Sequence, residues 1–153
     1  MKTNDMDAHE RLQSLLRRQE QQHQVLVLQG ESAEAMLDAF EAGPGVRLLA
    51  CLAEPQRNPE SQDLAVLLPE IAVIAGAEAV AVAPPALAER CAARHGVTRW
   101  PTLVLLRDGS YVGAIDGLRD WVEYRRLLTD LDQAPRQRPP GVGVPVVAAG
   151  ALT

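Results

Sequence analysis

The sequence predicts an α/β domain in which helices cover both faces of a mixed central sheet, with an extra helix at the N-terminus. Three strand-like runs alternate with three helix-like stretches between Val25 and Gly96, which favours parallel strands. Two further runs flank Asp108-Gly109, a dipeptide typical of a two-residue hairpin. A fully parallel, doubly wound sheet is the competing prediction. The hairpin disfavours it, because parallel neighbours need a long crossover.

The first third of the chain predicts two helices and two strands. A helix is expected from Asp7, with three leucines on one side, and it is followed by a short buried strand at Val25–Leu28. The second helix repeats its apolar residues at helical spacing and should end at Gly43-Pro44-Gly45. Val46–Ala53 is almost continuously apolar, which predicts a central strand covered on both faces.

The middle of the chain predicts two helices separated by a strand. Asn58 can cap the first of these helices, and Pro59 suits its first turn. Pro69 is expected to kink or shorten that helix, because proline has no backbone N–H to donate. A strand begins at Ala79, and the helix after it should end at Gly96.

The last elements are a hairpin and a helix. The hairpin strands are expected at Leu103–Leu106 and Tyr111–Ile115, and the helix from Leu118 to about Asp132. The residues that this helix is expected to bury are Leu118, Trp121, Val122, Leu128 and Leu131. Residues 1–132 therefore form one predicted domain, and residues 133–153, rich in proline and glycine, are expected to be a flexible tail.

Composition narrows the classes of function. The formal net charge of −5 disfavours binding to nucleic acid or to anionic membranes. The first residues contain no apolar signal sequence and no stretch suits a membrane span, so a cytoplasmic protein is expected. The three histidines show no metal-ligand spacing, and no phosphate loop or nucleophile motif is present, so neither a metal nor another cofactor is predicted.

The predicted element order is that of the thioredoxin fold. In thioredoxin-like proteins a proline, usually cis, precedes the strand that begins the terminal hairpin, and Pro101 in "RWPTLVLL" resembles it. The resemblance implies that the backbone of Arg99 and Trp100 is left unpaired and can accept an extended peptide. The residues alone equally allow Pro101 to be an ordinary first residue of a strand.

Thiol chemistry is not expected. A thioredoxin-type enzyme needs a nucleophilic cysteine at a helix N-terminus and a second cysteine one turn later. The corresponding stretch, Ala53–Ser61 or "AEPQRNPES", contains no cysteine. Cys51 lies inside the central strand and Cys91 on the packing face of a helix, so both are interpreted as small buried apolar residues. An enzyme is therefore not predicted.

Two segments, "EPQRNPES" and "RHGVTRWPTLVLLRDGSYVGAIDGLRDWVEY", resemble the HyaE/HupG/HoxO family of nickel-iron hydrogenase expression proteins, which are thioredoxin-like and lack the redox pair. The resemblance extends from the first helix to about Leu131, and Gly117 and Trp121 keep the family's pattern. It implies a non-catalytic chaperone that binds the hydrogenase small-subunit precursor with its twin-arginine signal peptide, and other maturation proteins are possible further partners. The alternatives are a redox enzyme with a single active cysteine and a structural partner in a maturation complex.

A set of acidic residues suggests how such a peptide binds. The segment after the central strand carries four acids against Arg57, a formal charge of −3. Consecutive arginines of a signal peptide can form bidentate hydrogen bonds to these carboxylates. Trp100 can stack on a guanidinium group or pack in the core, whereas Trp121 is assigned to packing. The candidate binding residues are Glu54, Glu60, Asp63, Glu70, Arg99, Trp100 and Pro101. A solvated helix face is the alternative interpretation of the acids.

Overall fold

The computed structural model describes residues 2–133, with side chains from residue 7 onward. The five helices in this range are α1 (Lys2–His23), α2 (Ala33–Ala42), α3 (Pro59–Ala75), α4 (Pro85–His95) and α5 (Trp121–Gln133). The five strands are β1 (Leu26–Val27), β2 (Val46–Cys51), β3 (Ala79–Ala83), β4 (Thr102–Arg107) and β5 (Ser110–Asp116). Of the predicted tail, only Gln133 is described, and it ends α5.

The strands form one mixed sheet in the order β1-β3-β2-β4-β5. The β1, β3 and β2 strands pair in parallel, and β4 and β5 continue the sheet in antiparallel fashion from β2. The sheet thus confirms the predicted α/β class, and β2 is the central strand. No helix among residues 2–133 is both long and apolar enough to cross a membrane.

Each face of the sheet carries its own apolar core. Leu48 and Ala50 of β2 belong to a first core with residues of α1, α3 and α5. Leu49 and Cys51, which alternate with them, belong to a second core with residues of α2 and α4. Because successive side chains of a strand point to opposite faces, the continuous apolar run of β2 supplies both cores.

Two predicted turns have the backbone conformations that their residues favour. Asp108 and Gly109 have φ angles of 52° and 83°, and they join β4 to β5 as the predicted hairpin. Gly96 ends α4 with a φ of 66°, and the N–H of Val97 donates to the carbonyl of Ala92 at 3.0 Å. The sequence signals for these chain reversals are confirmed.

Of the two effects expected of Pro69, a kink or a shortened helix, the shortening is wrong, since α3 continues to Ala75. In an α-helix the carbonyl of Ala65 would accept a hydrogen bond from residue 69, and a proline there cannot donate one. The buried side chain of Gln19 in α1 supplies the missing donor, because its Nε2 group donates to the Ala65 carbonyl oxygen. The helix is therefore completed by its neighbour.

The last helix begins at Trp121, three residues later than predicted. Gly117 has a φ of 74°, which an α-helix does not contain. The Asp120 carboxylate then accepts a hydrogen bond from the Glu123 N–H at 2.9 Å, as an N-cap residue does. Leu118 therefore precedes the helix, although it still packs against the first core.

The predicted core face of α5 contains one error. Val122 is 73 % exposed, whereas Tyr124, which was not predicted, is fully buried. Trp121 packs against the first core as predicted. The Tyr124 hydroxyl accepts a hydrogen bond from the Arg119 N–H at 3.2 Å. This partner satisfies the polar end of the buried ring, so a tyrosine rather than an aliphatic residue occupies the core position.

Candidate functional site

The candidate site is built around residues 99–101, called here the corner, which lie directly before β4. The Trp100–Pro101 peptide bond is cis. Pro101 is buried, Arg99 is exposed, and Trp100 is half-buried with its side chain against the second core. Trp100 thus contacts the core and keeps part of its surface open to solvent at the corner.

The corner's three carbonyl groups all accept hydrogen bonds within the protein. The Arg99 carbonyl accepts one from the Thr102 hydroxyl. The Trp100 carbonyl accepts one from Asn58 Nδ2 at 3.2 Å. The Pro101 carbonyl accepts one from the Gly117 N–H at 2.7 Å.

This pairing corrects one expectation about the corner. The carbonyl groups of Arg99 and Trp100 are not left unpaired, because the side chains of Thr102 and Asn58 reach them. The N–H groups of Arg99 and Trp100 donate to no acceptor within residues 2–133. A bound chain therefore meets backbone donors at the corner and carbonyl groups that are already engaged.

Asn58 links the corner to the start of α3. Its Oδ1 atom accepts a hydrogen bond from the Ser61 hydroxyl at 2.9 Å, and the Ser61 oxygen accepts one from the Ala53 N–H at 2.9 Å. Asn58 occupies the cap position of α3 as predicted, but its side chain bonds no helix N–H. It is directed instead to Ser61 and to the Trp100 carbonyl.

The structure separates the four candidate acids into two places. Glu54 is half-buried in the loop between β2 and α3, and Glu60 and Asp63 are exposed in the first two turns of α3. Glu70 lies about 10 Å farther along the helix than Asp63, at 1.5 Å per residue. There it lines a groove with Leu15 and Arg18 of α1. The acids before Glu70 lie in the segment that Asn58 joins to the corner.

A further acid, Asp116, was not predicted from the sequence and faces the corner from β5. Asp116 lies 4.0 Å from Arg99 and 3.3 Å from Arg119, and Arg119 also lies 4.0 Å from Glu123. Asp116 is brought there by the strand register, which pairs it with Thr102. The two-residue turn alone would pair Thr102 with Ile115, and the irregularity at Leu105–Leu106, which shifts the register by one residue, was not predicted.

The two thiols meet in the second core, although they are 40 positions apart in sequence. Cys51 and Cys91 are both fully buried, as predicted. A hydrogen bond with Cys91, together with burial, raises the pKa of the Cys51 thiol well above its ordinary value. No cysteine lies at the start of α3, and the residues from 7 to 133 contain no cluster of three metal-ligating side chains.

The fold and the corner define a thioredoxin-fold protein that has the proline before β4 but no thiol at the start of α3. The chain belongs to the HyaE family of hydrogenase expression proteins, because the model described as "Hydrogenase-1 expression protein HyaE" matches residues 10–124. It is 39 % identical over 134 residues to the hydrogenase expression/formation protein HoxO of Cupriavidus necator, covering 86 % of this chain and 81 % of HoxO. It is 32 % identical over 117 residues to the hydrogenase expression/formation protein HupG of Bradyrhizobium diazoefficiens, covering 76 % of this chain and 79 % of HupG.

Solved structures agree on the fold. A mutant thioredoxin from Halobacterium salinarum superposes with a TM-score of 0.56 at 27 % identity, covering 72 % of this chain and 92 % of that one. Thioredoxin from Plasmodium falciparum superposes with a TM-score of 0.56 at 14 % identity, covering 69 % of this chain and 98 % of that one. The predicted thioredoxin-like fold and the predicted family are thus both confirmed. The family description supports a role in hydrogenase maturation.

Proposed function

We propose that this protein is a non-catalytic, cytoplasmic chaperone in nickel-iron hydrogenase maturation, and that it binds the small-subunit precursor together with its twin-arginine signal peptide. The observation that carries the proposal is the corner at Trp100, which offers backbone donors beside an acidic segment. The match to hydrogenase expression/formation proteins supports the pathway. The chemistry of the corner supports a peptide as the ligand.

Electrostatics favours a cationic segment of the precursor. Glu60 and Asp63 are exposed in the first two turns of α3, and Glu54 lies in the loop before them. Guanidinium groups form bidentate, charge-assisted hydrogen bonds with such carboxylates. Trp100, which is half-buried, offers an aromatic side chain against which a further guanidinium or an apolar side chain can pack.

The placement of the thiols supports binding without catalysis. The thiolate is the reactive form of cysteine, and Cys51, whose thiol pKa is raised by its hydrogen bond with Cys91 and by burial, forms little of it. Cys51 and Cys91 are both inaccessible in the second core. These observations oppose the alternative of a redox enzyme that uses a single cysteine.

The direct test is a calorimetric titration of the protein with the signal peptide of the small subunit. Wild type should bind saturably, and affinity should fall as salt is added, because charge pairs are screened. Reversal of two acids, Glu54→Lys with Asp63→Lys, should weaken binding by about ten-fold, or 1.4 kcal/mol. Glu31→Lys with Glu89→Lys is the matched control, because it changes the net charge by the same amount at two exposed residues, one in the turn before α2 and one on α4. Both helices pack on the opposite face of the sheet from α3.

Three results are informative. Weakening by the double reversal and not by the control supports the proposed acidic contact. Equal weakening in both variants would show only general attraction between a negative protein and a positive peptide. Absence of binding to both the peptide and the whole precursor would overturn the proposed function.

A further inference from the structure

In the corner, the backbone carbonyl groups are hydrogen-bonded among the residues that the structure describes, whereas two backbone N–H groups are not. The carbonyl groups of Arg99, Trp100 and Pro101 all accept hydrogen bonds from the protein itself. The N–H groups of Arg99 and Trp100 have no acceptor within residues 2–133. In ordinary strand pairing, by contrast, a residue uses both its N–H and its carbonyl group toward the neighbouring chain.

We infer that Asn58 is a specificity-determining residue that makes the corner a donor-only site for an extended chain. Its Nδ2 group takes one of the two acceptor positions of the Trp100 carbonyl and leaves a ligand N–H only the other, more crowded one. A ligand is therefore held there through its own carbonyl oxygen and not through its N–H. This inference rests on the proposed function, because it concerns how the proposed peptide is recognised. It identifies Asn58 as the residue that determines which backbone groups of the peptide form hydrogen bonds with the corner.

Asn58 is held in place for this role on its other side. The Ser61 hydroxyl donates to Asn58 Oδ1, and Ser61 itself is fully buried and accepts from the Ala53 N–H. These bonds fix which amide atom faces the corner, because Oδ1 must face a donor and Nδ2 an acceptor. The nitrogen is therefore the atom directed at the Trp100 carbonyl.

The substitution Asn58→Asp removes the hydrogen bond to the Trp100 carbonyl and keeps the one from the Ser61 hydroxyl. Aspartate keeps the shape, the helix-cap preference and an acceptor for Ser61, but it has no donor for the Trp100 carbonyl. The variant should therefore fold and leave that carbonyl free for a ligand N–H. Gln56→Glu is the matched control, since it adds the same charge at an exposed position two residues away.

The probe is the small-subunit signal peptide with each backbone amide replaced in turn by an ester. An ester lacks the N–H at that position and weakens the carbonyl group that precedes it, while it adds no bulk. Affinity for every ester peptide is divided by the affinity of the same variant for the all-amide peptide. A uniform effect of added charge cancels in this ratio.

Wild type and Gln56→Glu should show the same affinity ratios along the peptide. The ratio should fall where the ester weakens the peptide carbonyl group that accepts a hydrogen bond from the Trp100 N–H. Asn58→Asp should show one additional sensitive position, where loss of the ligand N–H weakens binding by about five-fold, as expected for a bond of about 1 kcal/mol. Identical profiles in all three proteins would overturn the role of Asn58 and leave the proposed function intact. Failure of wild type to bind the all-amide peptide or the precursor would overturn both.

Discussion

The side-chain amide of Gln19 donates a hydrogen bond to the carbonyl oxygen of Ala65, the one group in α3 that Pro69 deprives of its helical partner. Gln19 is 4 % exposed, and its Oε1 atom has no hydrogen-bond partner in the described part of the chain. The bond joins α1 to α3 on the face of the sheet that holds the first core. The N-terminal helix is thus part of what allows α3 to extend to Ala75.

This relationship predicts a dependence between two substitutions. Gln19→Leu keeps the volume but removes the donor, so it should lower the free energy of unfolding by about 1–2 kcal/mol in the wild-type background. With Pro69→Ala, residue 69 regains an N–H, and Gln19→Leu should then cost less than about 0.5 kcal/mol. Urea denaturation of the four proteins measures both costs. Equal costs in the two backgrounds would show that Gln19 does not replace the missing donor.

The buried thiol pair predicts resistance to alkylation. Iodoacetamide should leave Cys51 and Cys91 of the folded protein unmodified and should modify both in denaturant, as followed by mass spectrometry. Cys51→Ala and Cys91→Ala should each lower the free energy of unfolding by about 1 kcal/mol and leave affinity for the signal peptide unchanged. Rapid labelling of the native protein, or loss of binding in a folded variant, would instead support thiol chemistry.

Glu41 predicts a pH dependence of stability. Burial acts to raise the pKa of Glu41, but hydrogen bonds and charge interactions with His95 and Arg94 of α4 outweigh it, so the pKa lies below its ordinary value of 4.5. A lowered pKa in the folded state means that the ionised carboxylate stabilises the fold. The stabilisation is complete above the unfolded-state pKa and is lost as the pH falls through the folded-state value.

The corresponding variant is Glu41→Ala. It should lower the free energy of unfolding by about 2 kcal/mol at pH 7, because it leaves the buried His95 without its carboxylate partner. The difference from wild type should shrink below pH 4.5. Asp38→Ala is the control, because Asp38 is an exposed partner of Arg94 and should change stability by less than about 1 kcal/mol. If wild type and Glu41→Ala differed in free energy of unfolding by the same amount from pH 7 to pH 3, the ionised Glu41 carboxylate would not be what stabilises the fold.

The two tryptophans predict different effects of substitution on affinity for the signal peptide. Trp100→Ala should weaken binding of the signal peptide by about ten-fold, since Trp100 is only half-buried and lies at the corner. Trp121→Ala should leave affinity unchanged and lower the free energy of unfolding by about 2 kcal/mol, because this ring packs against the first core. Calorimetry and urea denaturation on both variants separate the effects. Loss of affinity in Trp121→Ala alone would place the ligand elsewhere.

The order of strands and helices follows from local signals, and these were readable in the sequence. Asp108-Gly109 and Gly96 adopt the left-handed conformations that their positions predicted, so the hairpin and the end of α4 were found correctly. The compensation of Pro69 by Gln19 was missed, because 50 positions separate them and only the packing of α1 on α3 brings them together. The sequence therefore predicted that Pro69 lacks a helical donor, and it did not predict that Gln19 supplies one.

The candidate site shows the same division. Pro101 and the absence of a cysteine in Ala53–Ser61 were readable from position in the fold. Asn58 was interpreted as a helix cap, because a local pattern cannot show that its side chain bonds the Trp100 carbonyl 42 positions later. Asp116 reaches Arg99 because an irregularity at Leu105–Leu106 shifts the pairing of β4 and β5 by one residue from the register that the turn predicts.

A protein that holds the hydrogenase small subunit before its export, as proposed, must form a complex with the precursor of that subunit. The most direct measurement is sedimentation velocity of the purified protein mixed with the small-subunit precursor, and separately with the mature subunit that lacks the signal peptide. We expect a complex with the precursor that is weakened by Trp100→Ala and by Glu54→Lys with Asp63→Lys. Association with the mature subunit should be weaker or absent. Failure of the precursor to co-sediment with the wild-type protein at micromolar concentrations would contradict the proposed function.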